Sequence, residues 1–566
     1  MHRNKFFVAK GLTCTSVHRP KCVNMPFTVF VVVENLPKTV FAREATGVIR
    51  SISPLQASIV GMMVLNFGSA FSISFATTVT VLPGANVGLG FLLAVPFVIV
   101  NAIAYQMLGT TMPRSGGDYV WISRGVHSGV GFGLEFVTLV FQALFFGAFG
   151  EYAIGGMLAG GTGALGVITG NTALLNFTTF LGTNTGLVLF STLLVVGAFA
   201  VLVMPLHRYL KIQLALWVLG IISTILFFAV LLSTSPSGFV SSFNNFFAPY
   251  NMTYAQVISS AQAAGFANPG LVTWGSPTLL AVPYLFFVLV GFEWPALVGG
   301  EMKNAKKGMF YGIVVTGIAA ALIEAAGSFL LQWTAGASFL NAAAYLTSVG
   351  QYGGPVPFNP FILALVLSNN LAVDILMAVG LVCWGAMMVI GGTFLYSRVI
   401  LAWGFDRALP AKISYVSESF HTPVIAVTIF AILVEIGALF SVYYGVIFSQ
   451  MNVTLVLILL FAFVGLAAAL LPYRQKGMFE QSPYGGWKIA GVPTMTWVGV
   501  INFVVFLGLS YFALQYPSLS GPTGPIALGV ILGVFLIGVI GFYITRAYYK
   551  SKGIDTSLAF KEIPPE

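Results

Sequence analysis

Four carboxylic acids sit inside long apolar stretches of this sequence: Glu135, Glu293, Glu324 and Glu435, with Glu151 and Asp374 nearer the ends of such stretches. An ionised carboxylate at the centre of a bilayer costs at least ~2.5–3.5 kcal/mol on insertion scales, so each must be paired, hydrated or protonated. An acid held in a low dielectric keeps its proton more readily and can carry it across. Glu293 leads because Pro283 and Pro295 bracket it together with Gly291; the alternative is a protonated acid bonded to backbone carbonyls freed by the same break. Glu135 shares a helical face with Thr138 and Gln142, at i, i+3 and i+7. That polar stripe either looks into a functional interior or bonds neighbouring helices. Glu324 and Glu435 adjoin no break. The hydroxyls of Thr393 and Ser397 could instead help to hold sodium, since hard cations favour oxygen. The coupling ion therefore stays open between H+ and Na+.

No cofactor is expected. No histidine falls in an apolar stretch, no phosphate-cradling loop is present, and Cys14, Cys22 and Cys383 show no metal-binding or disulfide spacing. An embedded enzyme would need a catalytic cluster that is not evident.

Something must position these acids, and composition says what. Apolar residues make up 58% of the 566 and charged residues only 7%, against roughly 25% charged in soluble domains. Most of the surface must face lipid. Runs of about 20 apolar residues, enough to cross the hydrocarbon core, occur near 56–80, 88–110, 129–158, 186–204, 212–233, 278–300, 309–333, 373–397, 423–443, 452–472, 493–514 and 525–547. These are spans 1 to 12. Segment 356–367 is too short and reads as a re-entrant or interfacial piece, and 159–185, 234–277 and 334–372 read as long polar outer loops.

The 25 basic residues divide completely between the two sides. All precede span 1, form the tail, or follow an even-numbered span; Arg114, Arg124, Lys303, Arg398 and Arg474 are examples. This positive-inside split places both termini in the cytoplasm and supports an even number of spans. It also explains the net charge of +9 without any nucleic-acid partner. The sequons at Asn176, Asn251 and Asn452 fall on the opposite side. Residues 1–50 read as a cytoplasmic tail without a cleavable signal, with Met25 a second start position.

Spans 1 and 6 each carry a helix-breaking cluster. Span 1 runs through Asn66, Phe67, Gly68, Ser69, Ala70 and Phe71, where glycine could equally serve close packing, and span 6 through Gly291. Spans five apart are the first helices of two inverted five-helix repeats. Interrupted there, they offer free N–H and C=O groups at the midplane to substrate and ion. Half-helix amino termini suit a carboxylate, and carbonyls suit an ammonium group. The pair could thus bind an α-amino acid without a charged side chain.

At these residues the chain resembles the amino acid–polyamine–organocation permeases. Met112-Pro-Arg114-Ser-Gly116-Gly117-Asp118-Tyr119 is similar to the family's P-x-S-G-G-x-Y stretch. Phe286-Phe-Val-Leu-Val-Gly291-Phe-Glu293 leading to Glu301-Met-Lys303-Asn304 resembles F-F-x-x-x-G-F-[DE]…E-x-K-N. Ser397-Arg398 with Asp406-Arg407-Ala-Leu-Pro410, and Thr422-Pro423, resemble two further family elements. The tail resembles that of archaeal members. Likeness covers about 50–475; spans 11 and 12 correspond only by position.

The resemblance implies an all-α membrane protein of about 12 helices with a LeuT-type 5+5 inverted repeat, broken spans 1 and 6, and two extra C-terminal helices. The implied division is a tail (1–50), a transporter core (51–475), spans 11 and 12 (476–547) and a cytoplasmic tail (548–566). Carried over by position, Asn66, Gly68, Ser69, Ala70 and Phe71 would line the substrate site. Phe287, Val288, Val290, Gly291 and Phe292 would join them from span 6, with Phe287 or Phe292 as an aromatic lid. Glu293 and Glu135 are the proton-coupling candidates. Arg114, Asp118, Glu301, Lys303, Arg398 and Asp406 are the inner-gate candidates, although basic residues there could simply fix topology or touch anionic lipid. Two departures are informative: span 5 has no lysine, which some proton-coupled relatives use, and span 1 lacks the usual G-x-G-I-F wording. The expected function is a cell-membrane permease for amino acids, working by alternating access and coupled to protons. An exchanger of polyamines and amino acids, or a sensor that binds without transport, would keep the same residues. Oligomeric state is open.

Overall fold

A computed structural model describes residues 47, 49–267, 275–356, 358–445, 453–516 and 524–561. The expectations for Cys14, Cys22, Met25, most of the first tail and Asn452 fall outside them. Cys383 is buried with a free thiol.

Among the described residues, eleven helices are long and apolar enough to cross a membrane. They coincide with eleven of the twelve expected spans. The twelfth, span 6, is helical only over Ser276–Val288 and continues as 3-10 turns at Trp294–Leu297 and Gly299–Glu301. Local chemistry marks several starts. Ser53 and Gln56 form a capping box ahead of Pro54 in span 1, Asn86 caps span 2 by accepting from Leu89 N–H, and Thr183 caps span 4.

Packing separates a core from a lipid-facing shell. Span 1 is 81% buried and span 10 is 78% buried, whereas span 12 is only 17% buried. Contacts recur in symmetric pairs. Spans 1, 2, 3 and 4 pack against spans 6, 7, 8 and 9 respectively; span 3 meets span 9 as span 8 meets span 4, and span 8 meets span 5 as span 3 meets span 10. Because an offset of five reverses the direction of crossing, this pattern is that of two inverted five-helix units. Close approach depends on small residues: a Cβ on Gly147 would lie 2.3 Å from the backbone of span 9, and one on Gly437 would lie 2.8 Å from Ala143.

The three outer segments differ from the expected loops. They contain helices Ala159–Thr169, Thr172–Leu181, Pro236–Phe247, Tyr254–Ala263, Ala337–Ser348 and Pro360–Leu367. Their polar composition conceals an aromatic stripe at Phe239, Phe243 and Phe247, which packs on Phe339 with ring centroids 4.8 Å apart at Phe243. Every residue of Pro360–Leu367 is buried, and this short helix packs on spans 1, 5 and 8. Asn176 and Asn251 are exposed. Span 11 lies on spans 10 and 2, and span 12 lies on span 3.

Candidate functional site

The break in span 1 is a single residue. Asn66 adopts φ 40° and ψ 70°, a left-handed conformation that asparagine tolerates better than most side chains, and it separates Pro54–Leu65 from Phe67–Val81. Its amide nitrogen donates to the Trp384 carbonyl of span 8 at 3.1 Å, and its amide oxygen accepts from Ser69 N–H at 3.3 Å. Asn66 thus caps the outer half-helix and ties the break to span 8. Gly68 is just as constrained, since a Cβ there would lie 2.5 Å from Leu381. Ser69 donates to the Asn66 carbonyl. Phe71 stacks on Phe227 of span 5 at 5.1 Å, which stacks in turn on Phe361 at 4.8 Å. It is part of a packed aromatic column.

Span 6 breaks more widely. Gly291 takes φ 125°, open to glycine but not to other L-residues without strain, and its N–H donates to Glu293 Oε2 at 2.9 Å. Phe287 and Val288 are half-buried; Val290 and Phe292 are buried, with Phe292 against Gly317 and Phe286. The two interrupted spans lie alongside each other in opposite directions. The first half of span 1 packs on Trp294–Leu297, and its second half packs on Ser276–Val288. The breaks therefore face one another. Asn66 to Phe71 and Val290 to Glu293 are all buried.

Next to this point the fold gathers acids that sequence position kept apart. Tyr105 of span 2 and Tyr396 of span 8 both lie within electrostatic reach of Asp118, Glu135 and Glu293. Asp118 comes from the helix Gly117–Gly125 between spans 2 and 3, Glu135 from span 3 and Glu293 from the break in span 6. Both oxygens of Glu135, Oε1 of Glu293 and Oδ1 of Asp118 are buried and make no hydrogen bond among the described residues. Burial pushes the Asp118 carboxyl, which lies outside the spans, up to about 7. Tyr105 faces Asp118, and Gln142 of the predicted stripe approaches Tyr396. The stripe Glu135, Thr138, Gln142 does look inward.

Below the cluster lie two buried ion pairs. Arg398 Nε reaches Glu301 Oε1 at 2.8 Å and Nη2 reaches Oε2 at 3.4 Å, while the guanidinium covers the Phe394 ring at 4.0 Å. Arg124 Nη2 lies 2.9 Å from each oxygen of Asp406. Arg124 is a partner for Asp406 that its sequence did not single out, because nothing local distinguishes it from a topological cation. Arg114 donates to the Pro113 carbonyl, and Lys303 is exposed, its backbone N–H bonded to Ile52. The motif stretches converge here. Ser115 bridges to Val298, Gly116 N–H donates to the Leu297 carbonyl, and Ile52 bridges to Met302. A Cβ on Gly116 would lie 2.6 Å from that of Ala402.

The remaining candidates lie apart. Thr393 donates to the Val389 carbonyl, and Ser397 donates to Phe394 and accepts from Arg398 at 3.1 Å, so a fixed cation already occupies its neighbourhood. Glu324 is buried in span 7 without a hydrogen bond among the described residues. Glu435 accepts from Thr192 at 2.6 Å, Glu151 from Ser441 at 3.2 Å and Asp374 from Ser368. Among the described residues no group of three metal-ligating side chains occurs.

Compared with known families, residues 53–537 match the profile described as amino acid permease. Comparison with curated proteins finds no match.

Proposed function

The chain therefore belongs to the amino acid permease family of multi-pass membrane transporters, and we propose that it carries amino acids across the cell membrane by alternating access, driven by protons, with both termini cytoplasmic. The observation that carries this reading is the alignment of the two breaks. Helix ends leave backbone donors and acceptors unpaired, and here three α-helix ends, at Leu65, Phe67 and Val288, meet the 3-10 turn at Trp294–Leu297 between spans 1 and 6. The α-carboxylate would lie at the amino end of Phe67–Val81, near Gly68 and Ser69, and the ammonium group at carbonyls around Val288 and Val290. Since every residue from Asn66 to Phe71 is buried, substrate needs the surrounding helices to part. Arg398–Glu301 and Arg124–Asp406 would form the inner gate that separates on release.

Protons are favoured over sodium by the arrangement of donors. Glu293, Glu135 and Asp118 extend from the break toward the basic face with four oxygens that make no hydrogen bond among the described residues, whereas Thr393 and Ser397 already bond their own helix. Glu293 is the proton carrier nearest the substrate.

The test is uptake of labelled amino acids and polyamines into liposomes containing the purified protein, with and without a proton gradient. Amino acid uptake that rises with the gradient, and loses that response in Glu293→Gln, is the expected result. Uptake indifferent to the gradient but dependent on internal substrate would mean exchange. Binding without flux of any substrate would leave a sensor.

A further inference from the structure

On the face that carries the basic residues, a cavity of about 620 Å³ opens beside the ends of spans 2 and 10. That size is in the range of small-molecule sites. Its wall holds three cations, Arg474, Lys476 and Lys561, together with the hydroxyls of Thr110 and Thr111 and the amide of Gln475. Among the described residues no carboxylate lines it. Among the described residues, Glu480 lies 3.8 Å from Lys476 across an exposed pair and the exposed Asp555 is within electrostatic reach of Lys561, and such surface pairs hold weakly. The cations come from separate parts of the chain. Arg474 and Lys476 follow span 10, whereas Lys561 belongs to the C-terminal segment, brought here by the docking of its neighbours: the Ala559 carbonyl accepts from Arg124 at 3.1 Å, and the Phe560 ring lies 5.4 Å from the same guanidinium. Arg474 is held in place by donating to the carbonyls of Gly125 and Val126 at the end of the helix between spans 2 and 3.

A concave site with three positive charges, hydroxyl and amide donors and no carboxylate among its described lining residues selects an anion with several acceptor oxygens. Its position at the ends of two membrane helices puts it level with lipid headgroups. We propose that this cavity binds a phosphate-bearing anion, supplied either by the headgroup of an acidic phospholipid or by a free phosphate compound, and that Lys561 makes the C-terminal segment part of the site. The family reading supplies only the leaflet in which the site would lie; the binding itself needs neither transport nor a known orientation.

The experiment uses full-length, delipidated protein in detergent, titrated with short-chain phosphatidylglycerol and, separately, with inorganic phosphate at constant ionic strength. Bound molecules are counted by native mass spectrometry. The comparison proteins are Lys476→Gln/Lys561→Gln and, as a control on the same face, Lys306→Gln/Lys307→Gln. All four lysines are exposed, so the variants should fold. The expected result is one saturable phosphatidylglycerol per chain, weakened about thirtyfold in the first variant, from the attraction of each lysine for an anionic surface, and unchanged in the control. Saturable phosphate binding with the same dependence would identify the free anion as the source. Equal loss in both variants would reduce the effect to diffuse charge and overturn the site. So would binding that the first variant leaves intact, or no binding of either probe.

Discussion

Asp118 is a carboxyl group removed from water near two others, and burial holds its proton. In the unfolded chain an aspartate ionises around its ordinary value of 3.8, whereas in the folded protein it does so at about 7. Through that window the folded state binds more protons than the unfolded state, so stability falls as pH rises. Below 3.8 both states are protonated and the group is silent; above about 7 the penalty is complete. Asp118→Asn, which is neutral throughout, should flatten this dependence. Thermal unfolding in detergent across the window is expected to show a shallower fall in midpoint than in the wild type. An unchanged slope would mean that other groups set it. The same residue separates two roles that its sequence neighbourhood left merged. Glu301 and Asp406 are paired with guanidinium groups, while Asp118 stands with the buried acids Glu135 and Glu293.

At the level of elements, the interruption of span 1 depends on one left-handed residue. Asn66 supplies three things: a tolerated positive φ, a cap for the outer half-helix and a bond to span 8. Asn66→Ala loses all three, with about 1–2 kcal/mol for the conformation and about 1 kcal/mol for the cap. Asn66→Gly keeps the conformation and should lose only a few tenths of a kcal/mol for the cap, besides the bond to span 8, worth about 1 kcal/mol in either variant. The order of thermal midpoints, wild type above glycine above alanine, would check this. Glycine and alanine variants of equal stability would mean that the φ angle is not what the break requires. Span 6 reaches the same end differently, through Gly291 and 3-10 turns in place of a second α-helix. The wider opening there leaves room for Glu293 at the break.

Considering the whole molecule, the end of the chain returns to the middle of it. The Tyr549 hydroxyl accepts from Ala411 N–H at 2.9 Å, and Thr556–Phe560 packs over the Arg124–Asp406 pair. The segment therefore joins span 12, the loop after span 8 and the helix between spans 2 and 3. Ending the chain after Gly553 removes one charge-assisted hydrogen bond and one aromatic face from a buried arginine. The expected loss is about 2 kcal/mol of stability, read as a lower unfolding midpoint in detergent. An unaltered midpoint would show that Arg124 finds equal partners without the tail.

How much of this was legible beforehand follows from where the physics acts. Crossing a bilayer takes a continuous apolar run with internally satisfied backbone, so span positions are written locally: eleven expected spans coincide with membrane-length helices, and span 6 continues through Pro283 and fails only where Gly291 and Pro295 already interrupt it. The breaks at Asn66 and Gly291 were legible for the same reason, as was the inward face of Glu135. Partnerships were not. Arg124 finds Asp406 across 282 positions and Ala559 across 435, and no local pattern distinguishes it from a cation that only fixes topology. Phe71 reads as a substrate-site residue of span 1, and nothing local shows that Phe227 and Phe361 stack beneath it. The outer helices read as loops because their aromatic stripe is short and their other faces are polar. Sequence alone determined how many times the chain crosses, which face carries the positive charge and where two helices must open, because each is set within one helix by water, lipid and backbone. Only the tertiary structure decided which acids meet, which other acids the arginines hold and how the tail closes over the Arg124–Asp406 pair, because those energies arise between residues that the chain separates by hundreds of positions.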